Sequence, residues 1–350
     1  MPEKVRIGER WIGEGEPVFI IAEAGVNHNG DPGMAERLVA AAAEAGADAI
    51  KFQSFTTDDL VTGTAAKAAY QRTGAGEETT QHGMLRHLEL PKEALPRLFR
   101  SAADHGLVFL SSPFDERAVD ELEGVGVPAY KIASGELTNT PLLEAMARKG
   151  KPAILSTGMA ELEEIGEAIR TLREGGLSGI ILLHCVSMYP APLAGVNFRV
   201  IPALRAAFGL PVGYSDHTLG IIAPPVAVAL GACLIEKHLT LDRDLPGPDH
   251  RMSLEPREFG EMVRAIRDVE SGLGTGVKEI AGGEAELRGL VRRSIVATRP
   301  IPAGATLTRA MLTTKRPGTG IPPGSLGSLV GRKARRSIAK DTLLSWDMVE

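Results

Sequence analysis

The sequence predicts an α/β protein, a (β/α)8 TIM barrel followed by a small, mostly β domain, on three observations. Eight short apolar runs are spaced along the first 240 residues, most of them ending in a polar or charged side chain. Between most of them lies an Ala-, Leu-, Glu- and Arg-rich stretch with helical spacing. The C-terminal part then changes to short β-like pieces broken by Gly and Pro turns. A strand buried on both faces reads as a continuous apolar run, and strands alternating with helices build a parallel sheet. Eight such units close into a barrel whose active site lies where the strands end.

Taken in order, residues 1–16 (around IGERWIGEGE) read as a hairpin suited to covering the barrel's lower mouth. The strands follow as VFIIAEAG from Val18, DAIKFQ from Asp48, LVFLSSPF from Leu107, AYKIASG from Ala129, PAILSTG from Pro152, IILLHCVS from Ile180, PVGYSDH from Pro211 and CLIEKHLT from Cys233. The insert from Phe55 to His105 is too long for a plain βα connection, and its polar, glycine-bearing stretch QRTGAGEETTQHG suits an active-site lid. RDLPGPDHRMSLEP after the eighth strand is too rich in Pro, Gly and Asp for regular structure, and a last barrel helix runs from Pro256 to Leu273. The glycines of GLGTGVKEIAGGEAELRGL mark a boundary, giving a barrel over 1–275, a linker over 276–290 and a second domain over 291–350. That domain carries a weak internal echo, Ala303–Leu307 with Met311 against Ala339–Leu343 with Met348. About 60 residues make a small free-standing core, so it is expected to pack on a barrel, its own or a neighbouring subunit's.

Bulk composition narrows the function classes. With 350 residues, 43% hydrophobic and 24% charged, the chain is an ordinary soluble α/β protein in composition. It has no apolar window long enough for a membrane span and no signal core in MPEKVRIGER, which predicts a cytoplasmic protein without a membrane partner. Cys185 and Cys233 fall inside strands and are expected as buried thiols, not a disulfide. The net charge of −5 is unevenly spread: residues 276–350 hold 13 Lys and Arg against 6 Asp and Glu, a net of +7, and the remainder has a net of −12. A basic tail without interleaved aromatics or a binding motif argues against nucleic acid and for docking on an acidic barrel.

The strand ends supply one pocket with Glu23, Lys51, Gln53, Ser112, Lys131, Ser134, Ser156, His184, Ser215, His217, Glu236 and His238. His217 and His238 close the last two strands, and adjacent strands lie about 4.8 Å apart. Two imidazoles with room for water and substrate oxygens fit a catalytic divalent metal; the plainer alternative is that each bonds a nearby loop. Lys51, Lys131, Ser112, Ser134 and Ser156, converging on the other half of the mouth, suit a phosphate or carboxylate. Solvated lysines and helix-capping serines are the plain alternative, and a lone lysine could instead be a Schiff-base nucleophile. Glu23 and Glu236 are candidate general bases or hydroxyl acceptors, or partners in salt bridges to Lys51 or Lys237. Asp249, in an irregular loop on the same side, could bind a polyol, and turn geometry alone would also explain an Asp there.

The strings IAEAGVNHNG, IKFQ, SSPFD, YKIASGELTN, ILSTGMA, LLHCVSMYPAP, GYSDHTLG, EKHLT and PGPDHRMSLEP together resemble the sialic acid synthase family, the N-acetylneuraminate synthases and their nonulosonate relatives. PIPAGATLTRAML and TKRPGTGI resemble the antifreeze-like (SAF, β-clip) domain that follows the barrel there. The resemblance implies condensation of phosphoenolpyruvate with N-acetylmannosamine, or a related acylamino hexose, releasing phosphate by C–O cleavage. It implies that Lys51, Ser112, Lys131, Ser134, Ser156, Ser187 and Ser215 hold phosphoenolpyruvate, and that His217 and His238 bind Mn2+ or Mg2+. Gln53, Tyr189, Glu236 and Asp249 become sugar-side contacts and Glu23 the acid/base. Arg316 becomes the residue offered to the sugar's acyl group across a domain-swapped homodimer. Ser187 in HCVSMYP stands where the neuraminate enzymes tend to have Asn, a form shared with relatives making legionaminic or other diamino nonulosonates. Two rivals are a Schiff-base aldolase using Lys51 or Lys131 and a non-catalytic ice- or carbohydrate-binding module.

Overall fold

The computed structural model describes residues 3–68, 71 and 80–350. Most of the expected lid, residues 72–79, lies outside the described residues. The chain divides into two units, one ending at Gly274 and one beginning at Thr275.

The first unit opens with an antiparallel hairpin, β1 (Val5–Ile7) and β2 (Arg10–Ile12). Eight parallel strands follow: β3 (Phe19–Gly25), β4 (Ala49–Ser54), β5 (Val108–Pro113), β6 (Tyr130–Ile132), β7 (Ala153–Ser156), β8 (Ile180–Cys185), β9 (Val212–Asp216) and β10 (Leu234–His238). Their order, β5-β4-β3-β10-β9-β8-β7-β6, makes a nearly closed barrel in which only β5 and β6 lack a ladder among the described residues. The helices are α1 (Pro32–Glu44), α2 (Thr57–Leu60), α3 (Gln81–Arg86), α4 (Ala94–Asp104), α5 (Glu116–Val125), α6 (Thr140–Ala147), α7 (Leu162–Glu174), α8 (Val200–Phe208), α9 (Ala223–Ala229) and α10 (Pro256–Leu273). Their ends follow from local chemistry. Asp31 accepts from Gly33 N ahead of a Pro at the start of α1, Asp115 accepts from Ala118 N, and Glu161 and Glu255 each close a capping box with a Glu three residues on. Gly126, at φ 91°, ends α5 in the left-handed conformation.

Strand alternation sorts every strand residue to the barrel's outside or its inside. Outward residues such as Ile20, Ala22, Ile50, Phe52, Phe109, Tyr130, Leu155, Leu182, Val212 and Ile235 pack on helix residues including Leu38, Leu98, Leu122, Leu142, Ile165, Leu204 and Met262. Inward residues form a second apolar cluster low in the barrel: Phe19, Ile21, Ala49, Leu110, Ile154, Ile181, Leu183 and Leu234. Val5, Ile7 and Ile12 of the hairpin belong to that same cluster, so the hairpin plugs the lower end.

The second unit has its own core of Ile295, Ala297, Ile301, Leu307, Leu312, Ile321, Leu329, Ala334, Ile338, Leu344 and Val349. Around it lie α11 (Glu284–Val291), the antiparallel pair β11 (Ser294–Ala297) and β12 (Leu312–Lys315), and α12 (Leu326–Leu329). Much of the stretch read as a linker is therefore helix α11, in keeping with the helix-forming run EAELRGL. No helix among the described residues is long and apolar enough to cross a membrane.

Gly213 tests the inner packing. A Cβ there would meet the carbonyl oxygen of Leu234 and come within 2.7 Å of Leu183 Cδ2. Gly213→Ala should destabilise by about 1–3 kcal/mol through overpacking. Calorimetry should show a transition lowered by several degrees; an unchanged transition would mean that the inner layer is loosely packed.

Candidate active site

Directly above the apolar inner layer, the same inward positions turn polar. Two residues on from Ile21, Ala49, Leu110, Ala129, Ile154, Gly213 and Leu234 stand Glu23, Lys51, Ser112, Lys131, Ser156, Ser215 and Glu236. All seven are buried, and all line one cavity of about 140 Å³. Gln53, Ser134, Tyr189, His217, His238 and Asp249 line it too. The barrel's strands and the loops that follow them thus bring together, around one cavity, all of the proposed site residues of the first unit but Ser187 and His184.

One half of the site is a charge cluster. Lys51 Nζ lies 2.8 Å from Glu23 Oε2 and 3.7 Å from Glu236 Oε2, and it donates to Ser112 Oγ at 3.2 Å. Lys131 Nζ donates to Ser156 Oγ at 2.8 Å and lies 3.5 Å from Glu236 Oε1. Ser215 Oγ donates to that same oxygen at 2.7 Å. Ser134 Oγ accepts from Gly158 N at 3.0 Å, and Gln53 Nε2 reaches Glu23 Oε1 at 3.5 Å. Of the salt bridges considered from sequence, Lys51 pairs with both glutamates; Lys237 pairs with Asp216, outside the barrel.

The two glutamates are driven apart in acidity. Burial, joined by the charge of Glu236, raises Glu23 to about 7 against the pull of Lys51. Burial also works against ionised Glu236, but Lys131, Lys51 and the Ser215 hydroxyl outweigh it and hold that carboxyl at about 2. One carboxylate is fixed in its charged form while its neighbour is poised to exchange a proton near neutrality.

The other half holds the imidazoles. The rings of His217 and His238 are 5.4 Å apart, centroid to centroid, and Tyr189 packs 4.3 Å from His217. Burial and the neighbouring His217 push His238 well below the usual histidine range, so it stays neutral. Its Nδ1 is buried without a hydrogen-bond partner among the described residues, 4.0 Å from Asp249 Oδ2. The loop carrying Asp249 is pinned to the first βα loop: Asn27 Nδ2 donates to Ser253 Oγ at 2.9 Å, and Ser253 Oγ donates to the Asp249 carbonyl at 2.6 Å. Burial works against a charged His217, but Cys185 and the carboxylates of Glu236 and Asp216 outweigh it and raise that imidazole above the usual range, so it would give up its proton on joining an ion. His238, neutral and with a spare nitrogen beside a carboxylate, fits a ligand of a divalent cation as it stands. No group of three or more His, Cys, Asp or Glu with ligand spacing occurs among the described residues, so such an ion would have two protein ligands and otherwise solvent or substrate oxygens.

Two placements differ from the sequence expectation. His184 is not in the pocket: it is an outward residue of β8, its Nε2 2.6 Å from the Val196 carbonyl and its ring beside Tyr214. Cys185, one position on, faces the cavity instead, 3.7 Å from His217 Nδ1. Alternation counted back from Ser215 on the paired strand would have found it, since Cys185 and Ser215 are register partners. Ser187 lies 3.8 Å from Cys185 Sγ and is not among the lining residues. Arg316 is exposed in the second unit. Sequence reasoning also missed an apolar wall of Val26, Met84, Leu85 and Leu88. Both cysteines are free and buried.

Comparison with known proteins bears on this arrangement. The model of the NeuB family matches residues 38–278, and that of the SAF domain matches residues 292–350. The chain is 48% identical to the N,N'-diacetyllegionaminic acid synthase of Legionella pneumophila, over 95% of this chain and 94% of that one. It is 44% identical to the synthase of the same name from Campylobacter jejuni, over 93% and 98%. Among solved structures, the N-acetylneuraminic acid (sialic acid) synthetase of Leptospira borgpetersenii superposes with a TM-score of 0.73 at 37% identity, covering 82% of this chain and 95% of that one. With an eight-stranded barrel, a polar cluster at its strand ends and matches of this extent, the chain belongs to the NeuB family of sialic-acid-type synthases and carries a SAF domain at its C-terminus.

Proposed function

We propose that the protein condenses phosphoenolpyruvate with an acylamino hexose and water, giving a nonulosonate and phosphate by C–O cleavage. The observation that carries this is the buried cluster of Lys51, Lys131, Glu23 and Glu236 with three serine hydroxyls. Phosphoenolpyruvate brings a phosphate and a carboxylate, and two ammonium groups each backed by a serine form a cradle for two anions.

The bonding changes follow. The enol carbon forms a C–C bond to the sugar's aldehyde carbon, leaving positive charge at C2, and water adds there. Glu23, with its carboxyl near neutrality, accepts the proton of that water. The C2–O bond to phosphorus then breaks, and phosphate departs against Lys51, Lys131 and the serines. Water's oxygen stays as the keto oxygen, and the bridging oxygen leaves with phosphate. Gln53, Tyr189, Glu236 and Asp249 orient the acceptor. His217 and His238 would hold a divalent ion, Mn2+ or Mg2+, whose chemistry when bound is Lewis-acid polarisation of the aldehyde oxygen.

A diacetamido hexose is the acceptor we favour over N-acetylmannosamine. The product named for the two relatives at 48% and 44% identity carries two N-acetyl groups, and phosphoenolpyruvate contains no nitrogen, so both come from the acceptor. The wall of Val26, Met84, Leu85 and Leu88 supports this, since it gives acetyl methyls an apolar surface. The same proposal takes the protein as a cytoplasmic homodimer in which Arg316 of one copy serves the acyl group bound by the other. Its support is the charge opposition between the basic tail and the acidic barrel.

Phosphate release from phosphoenolpyruvate should be fastest with diacetamido hexoses in a panel that includes N-acetylmannosamine and its 6-phosphate. Activity on the 6-phosphate alone would move the chain to the phosphorylated branch of the family. EDTA should abolish turnover and borohydride should trap no adduct; a trapped adduct would favour the Schiff-base aldolase. With 18O in the C2 oxygen of phosphoenolpyruvate, the label should leave with phosphate, and its retention in the sugar acid would sink C–O cleavage.

Glu23→Gln should lower kcat by about 10²–10⁴. In the unsubstituted enzyme kcat/KM should rise with pH through about 7, because only ionised Glu23 accepts the proton. A limb that persists in the Glu23→Gln variant would assign that titration to another group.

A further inference from the structure

On the outer face of the barrel, directly behind the two imidazoles, a second charged group is buried that the reaction above does not use. Asp216 and Lys237 are register partners on β9 and β10, and theirs is the last ladder pair between those strands. His217 therefore lies beyond the end of the ladder, where no strand pairing fixes it against β10. Side chains take over there. Lys237 Nζ donates to Asp216 Oδ2 at 2.6 Å, with both side chains fully buried, and it also donates to the carbonyl oxygen of Thr218. Asp216 Oδ1 accepts from Thr218 N at 2.9 Å and from Tyr214 Oη at 2.9 Å. The residues on either side of His217 are thus tied to each other and to the residue immediately before His238. On the opposite flank, the His217 carbonyl accepts from Ala191 N at 2.9 Å.

We propose that the Asp216–Lys237 pair is a positioning device, an outer clamp that sets the separation of His217 and His238 for one divalent ion. It rests on the two-histidine metal assignment made above. A buried ion pair is a poor stability device, since well-packed apolar residues of similar volume often serve as well or better. Its use is geometric: it carries hydrogen bonds to both backbone groups of Thr218, which apolar residues cannot make. Groups behind metal ligands typically hold their orientation, and losing them weakens metal binding about 10–100-fold.

The test is Mn2+ titration of EDTA-stripped full-length protein, reading free Mn2+ by EPR, alongside calorimetry. The unsubstituted protein should bind Mn2+ and the His217→Gln/His238→Gln variant should not; no binding by the unsubstituted protein would sink the metal assignment and the clamp with it. The double variant Asp216→Leu/Lys237→Met removes both charges while keeping the space filled. The clamp predicts a folded protein with a thermal transition close to the original and a Kd for Mn2+ raised at least tenfold. A folded double variant with an unchanged Kd overturns the clamp while leaving the two-histidine assignment standing. Should that variant not fold, Tyr214→Phe, which deletes one hydrogen bond to Asp216, decides instead: a Kd raised threefold or more supports the clamp, and an unchanged Kd overturns it.

Discussion

Everything functional in the barrel depends on four mutually buried charges, Glu23, Lys51, Lys131 and Glu236. No one of them is stable alone at that depth: removing one partner of a buried pair leaves an uncompensated charge and typically costs about 3–5 kcal/mol. Together they neutralise one another, and Ser112, Ser156 and Ser215 take up remaining donors and acceptors. Their opposed acidities follow from that geometry. Glu236 lies within reach of both ammoniums and stays ionised, whereas Glu23 meets one ammonium and the field of Glu236 and is lifted toward neutrality.

That cluster can exist only because the layer beneath it is apolar and closed. Phe19, Ile21, Leu110, Ile154, Ile181, Leu183 and Leu234 fill the lower barrel, and Ile7 and Ile12 of the hairpin seal it. An apolar floor beneath the charges keeps the local dielectric low and the electrostatic interactions strong. The hairpin contributes nothing to the chemistry directly, yet it makes the floor on which the chemistry stands.

The strands and their polar ends were legible because a parallel strand declares itself twice, by an apolar run and by a change of residue type where it meets the mouth. Inward and outward faces were less legible. His184 ends an apolar run like its neighbours, but β8 presents Cys185 inward, a distinction of one residue that decides between pocket and helix layer. The apolar wall was invisible for a different reason. Met84, Leu85 and Leu88 belong to or follow a six-residue helix in a long insert, and nothing in a short apolar helix says which cavity it borders. Lys237 was read as a possible partner for Glu236, although the two are adjacent in a strand and so face opposite sides.

Glu23 shows why pairing of the first and last barrel strands completes the site. Its strand, β3, is first in the barrel and pairs with both β4 and β10, the last. Glu23 is accordingly the register partner of Lys51 on one side and of His238 on the other. The two lysines with Ser112 and Ser156 come from β4 to β7, and the imidazoles come from the ends of β9 and β10, more than 160 residues after Lys51. Until β10 pairs with β3, Glu23 and Lys51 have no ladder to Glu236 and His238. Once it does, the β3 side chain facing the cavity at that seam is a carboxyl lifted to about 7 by burial, so the proton-exchanging group sits between Lys51 of the anion cradle and His238 of the imidazole pair.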